Sequence, residues 1–409
     1  MKLSGRGQLV CLYASNAMVY AFNALFYCFL PIYFNAAYSP VEAGILLSVG
    51  PAVSIVAPLF WGMIADHAKY KNTVLIFAVL ASAAAFFLLK FEYSFLAMAF
   101  LVGVTMLFMS PFPGLIDAIT LEHTEAVHTA YGPIRVMGTF GFGLISLVSS
   151  FFTGNNINVI FYIFAGMALV CSLALFFGPQ VEGHARKESA GTEPEKAGSA
   201  ERKKNTGLGA LFGCRHLMLM ILFMLVVQFA YSFYINYFPT YLTETLSLPQ
   251  WTWGLTVLLT VLGEIPFFFF YNKLFDRFGI RTMMTFVMVG SVVRYVLLGV
   301  FRSAFALLLI NALTGFIITI VTYCAATYIT RYIAPELQAT GQNLLYCIGQ
   351  SVARVLGGVL GGVIQTKLGT PNGMLLCAGI LLLFTVVYFI TFGFDPSPRL
   401  APFAPKKKK

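Results

Sequence analysis

EGHARKESAGTEPEKAGSAERKKN, residues 182–205, differs from everything on either side of it. The stretch is charged, rich in small residues and free of aromatics, a composition that cannot bury enough apolar surface to fold. With its flanks (179–214) it reads as a disordered linker. Ahead of it, apolar runs occupy residues near 9–34, 42–65, 72–89, 94–118, 131–152 and 157–178. Behind it they recur near 216–242, 251–272, 282–300, 303–329, 338–366 and 371–393. As helices, such runs match a hydrocarbon core roughly 30 Å thick. They do not alternate with period two, which argues against a β-barrel. The expected fold is therefore an all-α polytopic membrane protein of about twelve spans, with its segments set out by this linker. A six-helix bundle is assigned to 1–178, the linker to 179–214, a second six-helix bundle to 215–394 and a tail to 395–409.

Composition agrees. The chain is 59% hydrophobic and 10% charged, where a soluble protein carries roughly 25% charged residues. Lys and Arg gather on one side of the spans: Lys2, Arg6, Lys69, Lys71, Arg277 and Arg281 lie with the linker and the Lys406–Lys409 tail, leaving Lys90, Arg302 and Lys367 opposite. The positive-inside rule then puts both termini in the cytoplasm; the expected location is a bacterial plasma (inner) membrane. The net charge of +10 follows from this topology and needs no nucleic-acid partner. The Lys-rich tail adds a pull towards anionic lipid headgroups. The first apolar run reads as an uncleaved signal anchor.

The two sides of the linker repeat one another. FLPIYF (29–34) aligns with YFPTYL (237–242), pairing Pro31 with Pro239 and Tyr33 with Tyr241. A two-residue shift then pairs Gly44 with Gly254, Asp66 with Asp276 and Lys71 with Arg281. The shared order favours a duplicated six-helix unit with pseudo-symmetric halves. GMIADHAKYK (62–71) and YNKLFDRFGIR (271–281) resemble the loops between helices 2 and 3 and between helices 8 and 9 of the major facilitator superfamily. Each copy departs from the pattern: no Gly follows Asp66, and Asn272 stands where a leading Gly is usual. The resemblance implies a gating role for Gly62, Asp66, Lys71, Asp276, Arg277 and Arg281. The two carboxylates would meet helix N-termini and basic side chains to hold the halves together. A solvated loop carboxylate is the alternative.

Ionisable groups inside a span are costly and mark a pathway by default. Asp117, Arg135, Glu264, Arg294 and Arg354 qualify. Asp117 and Arg135 are 18 residues apart across a short hairpin that brings antiparallel helices face to face. The segment resembles the lactose permease and phenylpropionate permease branch, with Asp117-Ala118 followed by Tyr131-Gly132-x-x-Arg135-x-x-Gly138-Thr139. By that resemblance the pair binds substrate; a structural ion pair at the cytoplasmic interface is the other reading. Glu264 and Arg294 match a Glu in helix 8 and an Arg in helix 9 of the lactose permease, which implies proton coupling. A carboxylate between apolar walls and a guanidinium exchanges its proton as its surroundings change. The other reading is a permanent Glu–Arg staple. One departure stands out: span 10 lacks the His and Glu that the lactose permease uses. Counted as ionised, the five groups leave a surplus of one positive charge, which an anionic solute or a chloride-like ion would neutralise.

Polar stripes complete the candidate site. Asn16, Tyr20, Asn23 and Tyr27 share one face of span 1. Gln228 and Tyr231 mark span 7, and Asn343, Gln350 and Arg354 one face of span 11. Such stripes line a wet cavity or pack between helices. The 7 cysteines are scattered without ligand spacing and read as packing residues. No nucleotide-binding or hydrolase motif is present, so neither a cofactor nor an enzyme is expected. The functional expectation is a monomeric secondary transporter that moves a small organic solute with protons. An exporter of drugs or metabolites on the same fold is the alternative.

Overall fold

Helix formation here follows from the solvent. In lipid every backbone N–H and C=O must be satisfied within the chain, and only helices or closed barrels do so. The computed structural model describes residues 5–91, 93–183, 211–333 and 335–393, and among them there is no strand. Six helices precede the linker: α1 (Gly5–Ala37), α2 (Pro40–His67), α3 (Lys71–Leu88), α4 (Phe95–Ala126), α5 (Tyr131–Thr153) and α6 (Val159–Phe177). Behind it come α7 (Arg215–Thr245) and a helix Trp251–Val300, broken at Gly279 (φ 72°) into α8 (251–278) and α9 (280–300). Next is α10 (Ala304–Tyr332). A last run breaks at Gly369 (φ 71°) into α11 (335–368) and α12 (370–393). At both breaks the left-handed backbone falls on glycine, where no Cβ opposes it. Twelve membrane-spanning segments result among the described residues.

Prolines interrupt three of the early helices, and tryptophans cap carbonyls at two of these sites. Pro111 has no N–H for the carbonyl of Leu107; the Trp61 indole donates to that carbonyl at 2.8 Å. Ahead of Pro31, α1 widens into a π turn at Leu25–Phe29. There the Cys28 carbonyl accepts from the Trp253 indole at 2.9 Å. In α2 the chain loosens at 54–56, where Pro58 offers no N–H to Ser54.

Two compact units emerge: Met1–Glu195 with Ile235–Val261, and Lys196–Tyr234 with Leu262–Lys409. Residues 235–261, the end of α7 and the start of α8, thus group with the first six helices. Hydrogen bonds explain this placement: besides Trp253, Asn35 donates to the Asn236 carbonyl at 2.9 Å and Tyr237 to the Pro40 carbonyl at 3.1 Å. The ends of the expected linker also differ from a loose chain. The Asn72 side chain donates to Pro179 O at 3.0 Å and accepts from Val181 N at 3.1 Å, which fixes the segment leaving α6. The charged island itself and the tail lie outside the described residues.

In the first unit, Phe22, Phe26, Phe86, Phe112, Phe161 and Phe164 are buried together, with the Phe86 and Phe164 rings stacked at 4.4 Å. α1 and α5 approach closely: a Cβ on Gly141 would stand 2.3 Å from the Ala17 carbonyl oxygen. Gly141→Val is therefore expected to force the two helices apart at a cost of about 1–3 kcal/mol or more. A lower melting temperature in detergent would register it; an unchanged one would mean that α1 and α5 separate freely. In the second unit, Gly357 lets α11 approach α7, since a Cβ there would lie 2.5 Å from Ser232 Cβ. Outward faces are apolar: Leu96 is 78% and Phe305 75% exposed. Apolar exposure on this scale suits lipid, not water.

Candidate functional site

In the first unit the α1 stripe meets α4. Asn16, fully buried, donates to the Thr120 hydroxyl at 2.9 Å. One turn on, the Tyr20 hydroxyl donates to Asp117 at 3.2 Å. Tyr27 reaches the Met106 sulfur at 4.0 Å, and Asn23 turns back to the Val19 carbonyl at 3.2 Å. Asn16 is thus a strut between helices with no free surface for a solute, while Tyr20 belongs to a charged constellation.

That constellation joins three helices. Arg135 of α5 approaches Asp117 of α4 at 3.6 Å through Nε, and its guanidinium lies 4.1 Å from the centre of the Tyr20 ring of α1. Gly138, one turn beyond Arg135, makes room for this: a Cβ there would stand 2.4 Å from the Tyr20 ring. The Arg-x-x-Gly spacing of the sequence is thereby explained, because i and i+3 share a helix face. The two charged side chains are 34% and 30% exposed, and the pair is not bidentate. Among the described residues the Nη groups of Arg135 carry no other hydrogen bond, so they are available to a solute oxygen.

In the second unit Arg294 is 3% exposed. It donates to the Asn311 side-chain oxygen of α10 at 3.3 Å and lies 4.4 Å from the Tyr234 ring centre and 4.9 Å from that of Tyr295. Among the described residues no carboxylate pairs with it, so the expected Glu264–Arg294 staple is replaced by contacts to α7 and α10. Glu264 is partly exposed on α8. Gln228 is buried and Tyr231 packs 6.1 Å from Tyr234. On α11, Gln350 and Arg354 are partly exposed and Asn343 exposed, and the Arg354 carbonyl accepts from Ser232 at 3.1 Å.

The motif loops divide their charges. Lys71 is 3% exposed and paired with Glu122 of α4, while Asp66 and Arg277 are exposed. Asp276 lies 3.3 Å from Arg331 of α10, and the Arg281 carbonyl accepts from Tyr388 at 2.9 Å. Nothing stands within 4 Å of a Cβ placed on Gly62, so close packing does not require glycine there. The buried ammonium makes a specific demand. Glu122→Gln should cost about 3–5 kcal/mol because it strands a buried charge, and adding Lys71→Met should recover much of the loss. Equal melting points for single and double variants would contradict that account.

Among the partners that escaped the sequence reading are Thr120, Glu122, Tyr234 and Asn311. Asn311 carried a usable signal, being an amide in mid-span. The other three look like ordinary helix residues until their neighbours are known.

The MFS_1 like family model matches residues 12–372. The uncharacterized transporter YwbF of Bacillus subtilis (strain 168) is 25% identical over 333 residues, covering 79% of this chain and 77% of that protein. The lactose permease of Klebsiella oxytoca is 22% identical over 374 residues, covering 86% of each. A crystal structure of the nucleoside transporter NupG superposes with a TM-score of 0.80 at 16% identity, covering 94% of this chain and 99% of that one. The last likeness concerns the fold.

Proposed function

The chain belongs to the MFS_1 like family, and from that premise we propose that it moves a small organic solute by alternating access, together with protons. The relatives named above are a transporter and a lactose permease; the solute and the coupling are inferred for this chain. The observation that carries it is the one-third-exposed Arg135 guanidinium, held over the Tyr20 ring with its Nη donors uncommitted. A solute with a ring and a carboxylate or hydroxyl oxygen satisfies both partners: the ring stacks near Tyr20, and the oxygen takes the Nη donors. Aromatic carboxylates, sugars and nucleosides fall in this class.

Arg354, Gln350 and Asn343 on α11, with Tyr231 and Gln228 on α7, supply further solute contacts in this reading. Glu264, partly exposed on α8, is the proton carrier. Its charge state decides whether an empty site changes conformation, so the proton and the solute move together. The hairpin bonds of Trp253 and Asn236 to α1 support a gate at that end of the path. Asp66 and Asp276, with Arg277 and Arg281, support a second gate at the motif loops. Six helices in 1–178 and six in 215–394 form the two moving halves, joined by the 179–214 linker. The protein works as a monomer in a bacterial inner membrane with both termini and the 395–409 tail inside.

Uptake into proteoliposomes tests the function, using aromatic acids, sugars and nucleosides with and without an imposed pH gradient. Gradient-dependent accumulation of one class is expected. Facilitated flux indifferent to the gradient would leave a uniporter and remove the proton. Orientation has its own check: Lys203 and Lys204, outside the described residues, should react with a membrane-impermeant amine reagent only from the cytoplasmic face. Labelling in intact cells would reverse the topology.

A further inference from the structure

Arg294 presents a problem that the transport reading leaves open. A guanidinium remains charged in any protein, and a buried charge requires a counter-charge or dense hydrogen bonding. This one is 3% exposed and has one amide oxygen, at 3.3 Å, as its hydrogen-bond acceptor on another helix. The faces of Tyr234 and Tyr295 offer partial negative potential but no formal charge. Its Nε is buried without a partner, and among the described residues no carboxylate pairs with it.

The helices that hold its partners carry further unsatisfied polar groups. Thr314, one turn beyond Asn311 on α10, is 1% exposed, and its hydroxyl has no partner. Gln228, six residues before Tyr234 on α7, is 1% exposed with both amide atoms unpartnered. Native proteins rarely leave such groups unmet. A guanidinium, a hydroxyl and a carboxamide can all donate, and a compact anion is the ligand chemistry that accepts such bonds. Organic cations are disfavoured by the charge of Arg294, and a dianion would overcompensate a single guanidinium.

We propose that Arg294 is the centre of an anion site between α7, α9 and α10, taking one compact monovalent anion. The anion is either the carboxylate of the transported solute or a free halide. The carboxylate case rests on the transport reading; the halide case stands without it. Either one would neutralise the surplus intramembrane positive charge.

The test uses the full-length protein in detergent at constant ionic strength, exchanging a bulky sulfonate (isethionate) for chloride, acetate or benzoate. Melting temperature is recorded against anion concentration. Saturable stabilisation by at least one small anion is expected in the wild type. Arg294→Gln should weaken the apparent affinity at least tenfold. Should that variant fail to fold, Asn311→Asp provides the second arm. It places a fixed carboxylate 3.3 Å from the guanidinium, so the variant should melt higher in isethionate than the wild type and lose its response to anions. Stabilisation by benzoate or acetate but not chloride assigns the site to a solute carboxylate; stabilisation by chloride assigns it to a resident halide. A wild type indifferent to all three anions, or an Asn311→Asp protein that retains the full response, overturns the proposal. Failure of solute uptake in proteoliposomes would leave the anion response untouched, which separates this inference from the transport function.

Discussion

Arg135→Gln is expected to reduce solute uptake by about a hundredfold, the effect of losing roughly 3 kcal/mol from a charge-assisted contact. Asp117→Asn should be comparably damaging, because the carboxylate and the Tyr20 hydroxyl together orient the guanidinium. Neither loss should come from unfolding. The pair is monodentate and about one-third exposed on each side, so its own contribution to stability is screened to about 1 kcal/mol or less. The decisive comparison is the double variant. If the pair positions a solute, Arg135→Gln with Asp117→Asn remains inactive, since no donor has been returned. If it is only a structural brace, removing both charges restores most of the uptake that either single change loses. Binding measured in detergent beside uptake in vesicles distinguishes a lost site from a blocked conformational change. Tyr20→Phe is the milder companion. It keeps the ring beneath Arg135 and removes one hydrogen bond, worth about 1 kcal/mol, so uptake should fall severalfold and no further.

Glu264→Gln should uncouple transport without abolishing it. The amide has the shape of the protonated acid but cannot release a proton. Accumulation against a gradient is expected to disappear, while exchange of labelled for unlabelled solute continues near the wild-type rate. Proton uptake or release on solute binding, followed with a pH indicator in weakly buffered detergent, should fall from a stoichiometric signal to background. Full accumulation by the variant would take the coupling role away from Glu264, and Asp117 would then be the next carboxylate to test.

The match between sequence and structure is uneven for physical reasons. Span number and membrane character were legible, because run length and scarcity of charge are local properties that no tertiary contact can reverse. The Arg135-x-x-Gly138 spacing was legible too, since one turn of helix fixes both residues on one face. The direction of that face was not. The stripe Asn16, Tyr20, Asn23 and Tyr27 pointed to a wet cavity, yet Asn16 is buried against Thr120. Resemblance paired Glu264 with Arg294, yet the guanidinium reaches Asn311. Two opposite charges on neighbouring helices meet only if rotation and tilt bring them together, and packing sets both.

By itself, the sequence determined an all-helical membrane chain of many apolar spans. Periodicity and hydropathy suffice for that, since both act within a single helix. Tertiary structure alone decided the partners: Trp61 and Trp253 on carbonyls close to prolines, Glu122 beside Lys71, Tyr20 between Asp117 and Arg135, and Arg294 among rings and an amide. A helix face presents its side chains at fixed angles, but the identity of the neighbouring helix depends on how glycines and rings pack across the bundle. The satisfaction of each buried polar group follows from that neighbour.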